Sequence, residues 1–366
     1  MAISFSCAMS DTPQTGNSDT PQTSNSTSQT SSADAHLTRA VYGHEGTMNS
    51  TELHYTGFGI FASQAADSQP DLMYNQKVDF TFVGDVSPAE GFWSYSPLKY
   101  WPTDLTGVYF CAYAPYVEKP AASVQADASN TGIIGMSSNT DTTPYVLYRR
   151  ALKPEDNVDL LWCYQSNFAK REMVNFKMYH ALARLAVSVK LHDDSSIDLS
   201  SNKVLIRSIT LSGTMTKEAK LILNEDNISD DKHYPTWQDL EPAVTESRTI
   251  TINNNGTGYG IIAEDVRYIN ELPYAWQPAG LKKDGAGKGV AANALSYDGH
   301  QKHIFLIPQT GGLTLTPVVQ YTVVPSSGSH VNKTATLTSG TISVPETGDL
   351  KGNMTYHLTL TIKVDA

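Results

Sequence analysis

The sequence predicts an all-β protein, and three observations carry this prediction. Charged residues make up only 17% of the 366 residues, a balance typical of β-rich extracellular proteins. Short apolar runs recur with turn-forming residues between them, which is the spacing of a β-sandwich rather than of alternating strands and helices. In the last run, 354–364, apolar and polar residues alternate, as in a strand with one buried face. The length favours two domains.

The N-terminus predicts a short strand followed by a disordered leash. Ile3, Phe5 and Cys7 alternate with small residues, which is the period of a strand with one buried face. Residues 8–35 contain almost no apolar side chains and include a tandem octad, SDTPQTGN followed by SDTPQTSN. Such a segment cannot bury enough surface to offset its chain entropy, so we expect it to be disordered. We expect any signal peptide to lie upstream of the strand.

A first series of strands is predicted up to residue 191. Its members include YTGFGIFA at 55–62, KVDFTFVG at 77–84, GVYFCAYAPY at 107–116 and VDLLWCY at 158–164. In the run that follows, the apolar residues occupy even positions up to Met178 and odd positions from Leu185 onward. The apolar face therefore changes near Ala183, which predicts a long strand with a bulge or break there.

A polar stretch at 192–203 then predicts a domain boundary. A second series of strands follows at 204–213, on either side of a turn at 253–256, and at 303–309, 315–324, 334–344 and 354–364. Segment 264–300 has the composition of a loop.

Composition and cysteine placement limit the partners. A net charge of −11 offers no basic stripe for phosphates, so we expect no nucleic-acid partner. No stretch approaches the ~18 apolar residues of a membrane-spanning helix.

Cys7, Cys111 and Cys163 stand in no metal-binding spacing. Cys111 and Cys163 lie in apolar runs, which favours two buried thiols, and a disulfide between them stays open.

No sequence motif indicates catalysis. Metalloprotease, serine-hydrolase and P-loop signatures are absent, so we expect no enzyme, no metal and no cofactor. His180 stands beside a predicted core strand, and we interpret it as a structural histidine. The acidic run at 224–231 lacks the glycine and closing glutamate of a calcium loop, so we interpret it as a solvated loop.

An aromatic block at 92–102 has two interpretations. Trp93, Tyr95, Tyr100 and Trp101 could form a surface that stacks on sugar rings, as expected of a surface-tethered glycan-binding lipoprotein module. The same rings could instead pack into a core or a sheet corner. The sequence leaves both interpretations open.

Several segments, taken in order, resemble the fimbrillin family, the type V pilins of anaerobic Gram-negative bacteria of the gut and mouth. The matching segments are AISFS at 2–6, LTRA at 37–40, FGIFA at 58–62, YSPLKYWP at 95–102, VYFCAYAPY at 108–116, VDLLW at 158–162, HALARLAVSV at 180–189, ITLSG at 209–213, LIPQ at 306–309 and GNMTYHLTLTIKV at 352–364. Their joint order covers nearly the whole chain.

This resemblance implies a fold of two transthyretin-like β-sandwich domains of Greek-key type. It divides the chain into a first strand plus leash at 1–39, an N-terminal domain at 40–195 and a C-terminal domain at 196–366. Pilins of this family are secreted as lipoproteins and cut after an arginine near the start. In this sequence the matching bond is Arg39–Ala40, which we expect on an exposed loop within reach of an arginine-specific protease.

The resemblance also implies how such subunits assemble. The cut releases the displaceable first strand, with Ile3 and Phe5, and a strand of a neighbouring pilin subunit fills the groove. The function implied is that of a structural subunit of an outer-membrane fimbria that serves cell adhesion and can bind a host or bacterial surface ligand. Stalk pilins donate a C-terminal appendage, whereas here the chain stops where 354–364 completes the last domain, which favours a tip or accessory subunit. The rival hypotheses are the glycan-binding module and a secreted hydrolase.

Overall fold

The computed structural model describes residues 2–9, 33–39, 48, 50–83, 91–103, 107–151, 157–168, 171–191, 195–198, 201–229, 232–240, 244–251, 259–261, 304–325, 331–336 and 340–364. Strands dominate these residues, which confirms the predicted all-β class. In this part of the chain no helix is long and apolar enough to cross a membrane. The predicted turn at 253–256 and the predicted loop at 264–300 lie outside the described residues.

The elements of the first half are β1 Phe5–Met9, β2 Ala33–Arg39, α1 Ser50–Thr56, β3 Phe58–Ser63, β4 Met73–Phe82, β5 Gly91–Ser94, β6 Val108–Ala114, α2 Ala122–Ala126, β7 Gly132–Met136, β8 Tyr145–Arg149, β9 Leu161–Phe168, β10 Val174–His180 and β11 Ala183–Leu191. The elements of the second half are β12 Asn202–Met215, β13 Glu218–Ser229, β14 Lys232–Asp239, β15 Val244–Thr251, β16 Tyr259–Ile261, β17 Ile304–Leu306, β18 Leu313–Pro325, β19 Val331–Thr336, β20 Ile342–Val344 and β21 Met354–Ile362.

The largest sheet has seven strands in the order β1-β10-β9-β6-β3-β4-β5. Alternation along these strands turns one face of each toward a single core, which includes Phe58, Phe110 and Phe176. The two edge strands, β1 and β5, contact each other, so the sheet curls around this core. We call it the curled sheet and its enclosed cluster the inner core. Leu53 of α1 packs into the same core.

A second sheet, of order β14-β13-β8-β7, covers the outer face of the curled sheet. The cluster between them, the outer core, contains Phe61, Tyr113 and Trp162 from the curled sheet and Tyr148 and Leu221 from the second sheet. The central strands β3 and β6 are therefore buried on both faces, which explains why their sequences are nearly continuous apolar runs.

The remaining two sheets, β17-β11-β21-β2 and β15-β12-β18-β19, pack face to face. β16 and β20 extend the second of them through β12 and β18. The core between them, the sandwich core, includes Leu211 and Leu315 on one side and Leu358, Leu360 and Ile362 on the other. The apolar face predicted for the last strand is thereby confirmed. The opposite face is not open to solvent throughout, since Thr355 and Thr361 are only 1% and 5% exposed.

The predicted break near Ala183 is also confirmed. β10 ends at His180 and β11 begins at Ala183, and the two strands lie in different sheets. Met178 faces the inner core, whereas Leu185 faces the sandwich core. The change of apolar face in the sequence therefore marks the point where the chain passes from one sheet to another.

The sheets do not divide at the predicted boundary. The polar stretch 192–203 does separate β11 from β12. However, β11, which precedes it, pairs with β21, and β13, which follows it, pairs with β8. Which strands pair depends on free sheet edges and apolar faces as well as on nearness in sequence. Strands from both sides of residue 196 therefore lie in the same sheets. The division into 1–39, 40–195 and 196–366 stays a prediction.

The acidic run at 224–231 is not a loop over its described part. Residues 224–229 continue β13, and Asn227 to Ser229 pair with β14 after a register shift. The prediction was wrong because polar side chains indicate exposure to solvent but do not exclude an exposed hairpin. Residues 230–231 lie outside the described residues.

Candidate functional site

The N-terminal strand lies in a slot at the edge of the curled sheet. β1 pairs in parallel with β10 along its whole length, starting with Phe5 opposite Val174. The Val174 N–H donates to the Ser4 carbonyl at 2.9 Å. From the opposite side, the Ile3 N–H donates to the Lys99 carbonyl at 2.9 Å. The backbone around residues 3–4 is therefore held from both sides.

Ile3 and Phe5 anchor this strand in the inner core. Their side chains are only 1% and 5% exposed. The Phe5 ring stacks on Phe176 at 5.7 Å and meets the edge of Phe110 at 6.0 Å. Burying the two side chains contributes about 3–6 kcal/mol before backbone pairing is counted.

Tyr95 closes the slot opposite β10. Its hydroxyl donates to the Ile3 carbonyl at 2.8 Å and accepts from the Lys99 N–H at 3.2 Å. Its ring lies 5.2 Å from the ring of Phe5. The Tyr95 hydroxyl is protonated at neutral pH, as tyrosines ordinarily are, and burial raises its pKa further.

The structure does not assemble the predicted aromatic surface. Trp101 is 7% exposed and stacks on Phe168 at 5.7 Å. Trp93 and Tyr95 pack, partly buried, against the inner core. Of the four residues only Tyr100, at 61%, is largely exposed. The core-packing interpretation therefore applies to three rings, because the chain from β5 onward returns to the curled sheet beside β1.

The candidate processing bond, Arg39–Ala40, follows a second strand. β2 runs antiparallel to β21, and its last residue, Arg39, lies opposite Met354. The prediction that Arg39 lies on a loop is therefore wrong. The sequence ADAHLTR alternates small or apolar residues with polar ones, which suits an edge strand. Ala40 and leash residues 10–32 lie outside the described residues.

His180 is buried and hydrogen-bonded, as expected of a structural histidine. It is 5% exposed, and its Nδ1 lies 2.7 Å from a carboxylate oxygen of Asp159. The same oxygen accepts the Met48 N–H at 3.0 Å. Among the described residues, no three His, Cys, Asp or Glu side chains converge as metal ligands do.

Cys111 and Cys163 are buried free thiols on opposite faces of the curled sheet. They are 4% and 3% exposed, and they belong to the outer and the inner core, respectively. Cys111 lies opposite Tyr164, and Cys163 lies opposite Ala112. A disulfide would require one strand to turn over, so the geometry favours the free thiols. Burial raises the pKa of both thiols, that of Cys163 to about 12.

Sequence reasoning missed two features of the slot. Lys99 acts through its backbone, which no residue pattern reveals. Phe110 and Phe176 were assigned to apolar runs, but only the parallel pairing of β1 with β10 shows that they line the slot. A pairing between strands so far apart in the chain has no local signal.

Comparisons with known proteins agree with one another. The family model described as fimbrillin-like matches residues 38–270. A curated relative, fimbrium subunit Fim1C of Phocaeicola vulgatus, is 24% identical over 364 residues, which cover 92% of this chain and 86% of the relative. A fimbrial protein from Bacteroides vulgatus is similar in structure, with 21% identity, a TM-score of 0.46 and coverage of 84% of this chain and 89% of its own. A proposed cell adhesion protein from Bacteroides uniformis has 16% identity, a TM-score of 0.42 and coverage of 85% and 90%.

Proposed function

This chain belongs to the fimbrillin-like family, and from that premise we propose that it is a structural subunit of a fimbria on the outer surface of a Gram-negative cell, where it serves adhesion. The observation that best supports this function is the N-terminal strand. Its residues Ile3 and Phe5 fill an apolar slot, and among the described strands β1 pairs with β10 alone. An equivalent strand of another subunit could take its place.

Proteolysis would trigger this exchange. Once an arginine-specific protease has cut the Arg39–Ala40 bond, only non-covalent contacts hold β1 in the slot. Departure of β1 exposes apolar side chains and leaves the edge of β10 unpaired. Both consequences cost free energy, so both favour addition of a strand from a neighbouring pilin subunit.

A cut after Arg39 would also free β2. This strand lies at the edge of its sheet with β21 as its neighbour. One proteolytic event would therefore open an edge on the curled sheet and a second edge on the sandwich. A donor segment long enough to reach both edges would bind along two sheets.

Three finer features stay predictions. They are the lipoprotein precursor at the outer membrane, the tip or accessory position, and the pair of transthyretin-like sandwiches. The face-to-face packing around the sandwich core supports the last of these. The aromatic block supports the alternative function, a glycan-binding module, less well, because Trp101 is buried and Trp93 and Tyr95 pack, partly buried, against the inner core.

Limited digestion of the folded protein with an arginine-specific protease tests the proposed function. We expect the first cut after Arg39. Arg149 and Arg150 are only 6% and 3% exposed, and Arg171 is held by hydrogen bonds to two backbone carbonyls. An edge strand, by contrast, can fray at its end to present an extended backbone to a protease.

The matched variants are Arg39→Ala and Arg171→Ala. The first should fold normally, lose the early cut and fail to enter fibres, whereas the second should be cut and assemble like the wild type. Mass spectrometry of sheared fimbriae should find subunits that begin at Ala40. If the Arg39→Ala variant assembled into fibres as well as the wild type, the proposed mechanism would be contradicted.

A further inference from the structure

A cleft lies on the outer face of the curled sheet, the face opposite the β1 slot. Phe61, Cys111 and Tyr164 are in register across β3, β6 and β9 and form its floor, with Tyr109 opposite Ser63 beside them. The loop after β3, the turn before β8 and one residue of β13 form the walls.

One buried polar atom beside this cleft lacks a partner within the described part of the chain. Oδ1 of Asn224 is buried and accepts no hydrogen bond there. Asp67, Tyr109 and Tyr164 also line the cleft with polar groups. A buried acceptor without a partner costs free energy. A ligand hydroxyl that donates to Asn224 would recover this cost.

The wall that follows β3 is fixed by its own hydrogen bonds. The Asp71 carboxylate accepts from the backbone and side-chain amides of Gln64, at 3.1 and 3.2 Å. The hydroxyls of Ser63 and Ser68 both donate to the Ala65 carbonyl, at 2.9 and 2.8 Å. A loop that is already ordered loses little further conformational entropy when a ligand binds.

We propose that this cleft binds a neutral saccharide. The partly exposed rings of Tyr109 and Tyr164 offer apolar faces for a pyranose ring, while the carboxylate of Asp67 and the amide of Asn224 are suited to its hydroxyls. The cleft is partly open and its volume is about 10 Å³, room for a single hydroxyl group, so the sugar ring lies outside it against the tyrosines. The net charge of −11 disfavours an anionic ligand.

Saturation-transfer NMR on the full chain, with the methyl glycosides of glucose, galactose, mannose and N-acetylglucosamine as probes, tests this proposal. We expect transfer to the ring protons of at least one glycoside, with a Kd of about 1 mM. Asp67→Asn and Asn224→Leu should each weaken binding about tenfold. Asp67 is exposed and has a φ of 49°, which asparagine also tolerates, so Asp67→Asn should keep the fold.

The matched control is Tyr100→Ala, which removes an exposed tyrosine that does not line the cleft. This variant should bind like the wild type. Equal transfer in wild type, Asp67→Asn and Asn224→Leu would overturn the proposal. So would the absence of transfer to all four glycosides at about 10 mM, since the cleft would then hold water only. Neither outcome depends on cleavage at Arg39, so the proposed fimbrial function stands or falls separately.

Discussion

Replacing Phe5 by alanine in the uncut protein tests whether the N-terminal strand is anchored as the structure shows. The substitution removes a ring that is 5% exposed and contacts Tyr95, Phe110 and Phe176. A change of this kind in a packed core costs about 3–5 kcal/mol. Here the loss cannot exceed the free energy with which β1 docks, because the strand can leave the slot while the rest stays folded.

The free energy with which β1 docks limits how much Phe5→Ala can destabilise the protein. Ile3 and Phe5 together contribute about 3–6 kcal/mol before backbone pairing, so we expect Phe5→Ala to lower the free energy of unfolding by about 2–4 kcal/mol. Urea denaturation, followed by tryptophan fluorescence, measures this change in the free energy of unfolding, since Trp93 and Trp101 pack in the inner core beside Phe5. The control Tyr100→Ala, at an exposed position, should stay within about 0.5 kcal/mol of the wild type. If Phe5→Ala lowered the free energy of unfolding no more than the control does, Phe5 would not anchor the strand in the core.

Three further predictions concern buried polar groups. Tyr95→Phe should destabilise the protein by about 1 kcal/mol and speed hydrogen exchange at the Ile3 amide, and unchanged exchange there would show that the hydroxyl does not hold the strand. Cys111 and Cys163 should resist a thiol reagent at pH 8 until the protein is denatured, because their raised pKa keeps them protonated and thiolate is the reactive form. Rapid labelling in the native state would contradict this. Asp159→Ala should lower the free energy of unfolding, measured by urea denaturation, by about 3 kcal/mol, because the buried His180 and the Met48 amide lose their acceptor. A decrease below about 1 kcal/mol would argue against the hydrogen bond between Asp159 and His180.

Local patterns in the sequence were sufficient for many strands. Alternation predicted β21 with its apolar face, and the change of parity predicted the break between β10 and β11. These features are local because side chains alternate across a strand with a period of two residues. The burial of Cys111 and Cys163 followed in the same way from their apolar runs.

Pairing between distant strands could not be predicted. β7, β8 and β14 were not predicted, and residues 8–9 and 33–35 were assigned to the leash although they belong to β1 and β2. Which sheet edge a short strand joins depends on free backbone groups elsewhere in the fold, and no local sequence pattern reveals them. The same limit applies to the aromatic block, whose burial depends on how the chain returns to the curled sheet.

Tyr95 shows how this limit affects the candidate site. Its residue type allowed a role in a surface or in a core. Only the position of Ile3, brought beside it by the pairing of β1 with β10, identifies its hydroxyl as a clamp on the N-terminal strand.

Strand exchange into the slot can be measured directly with a fluorescent peptide of residues 1–9. The full chain is cut by an arginine-specific protease, incubated with the peptide and separated by size, and uncut protein serves as the control. The account predicts that the peptide co-migrates with the cut protein alone, and that a Phe5→Asp version of the peptide does not bind, because a carboxylate would enter the apolar slot. Equal binding to cut and uncut protein, or equal binding of the two peptides, would contradict strand exchange at this site.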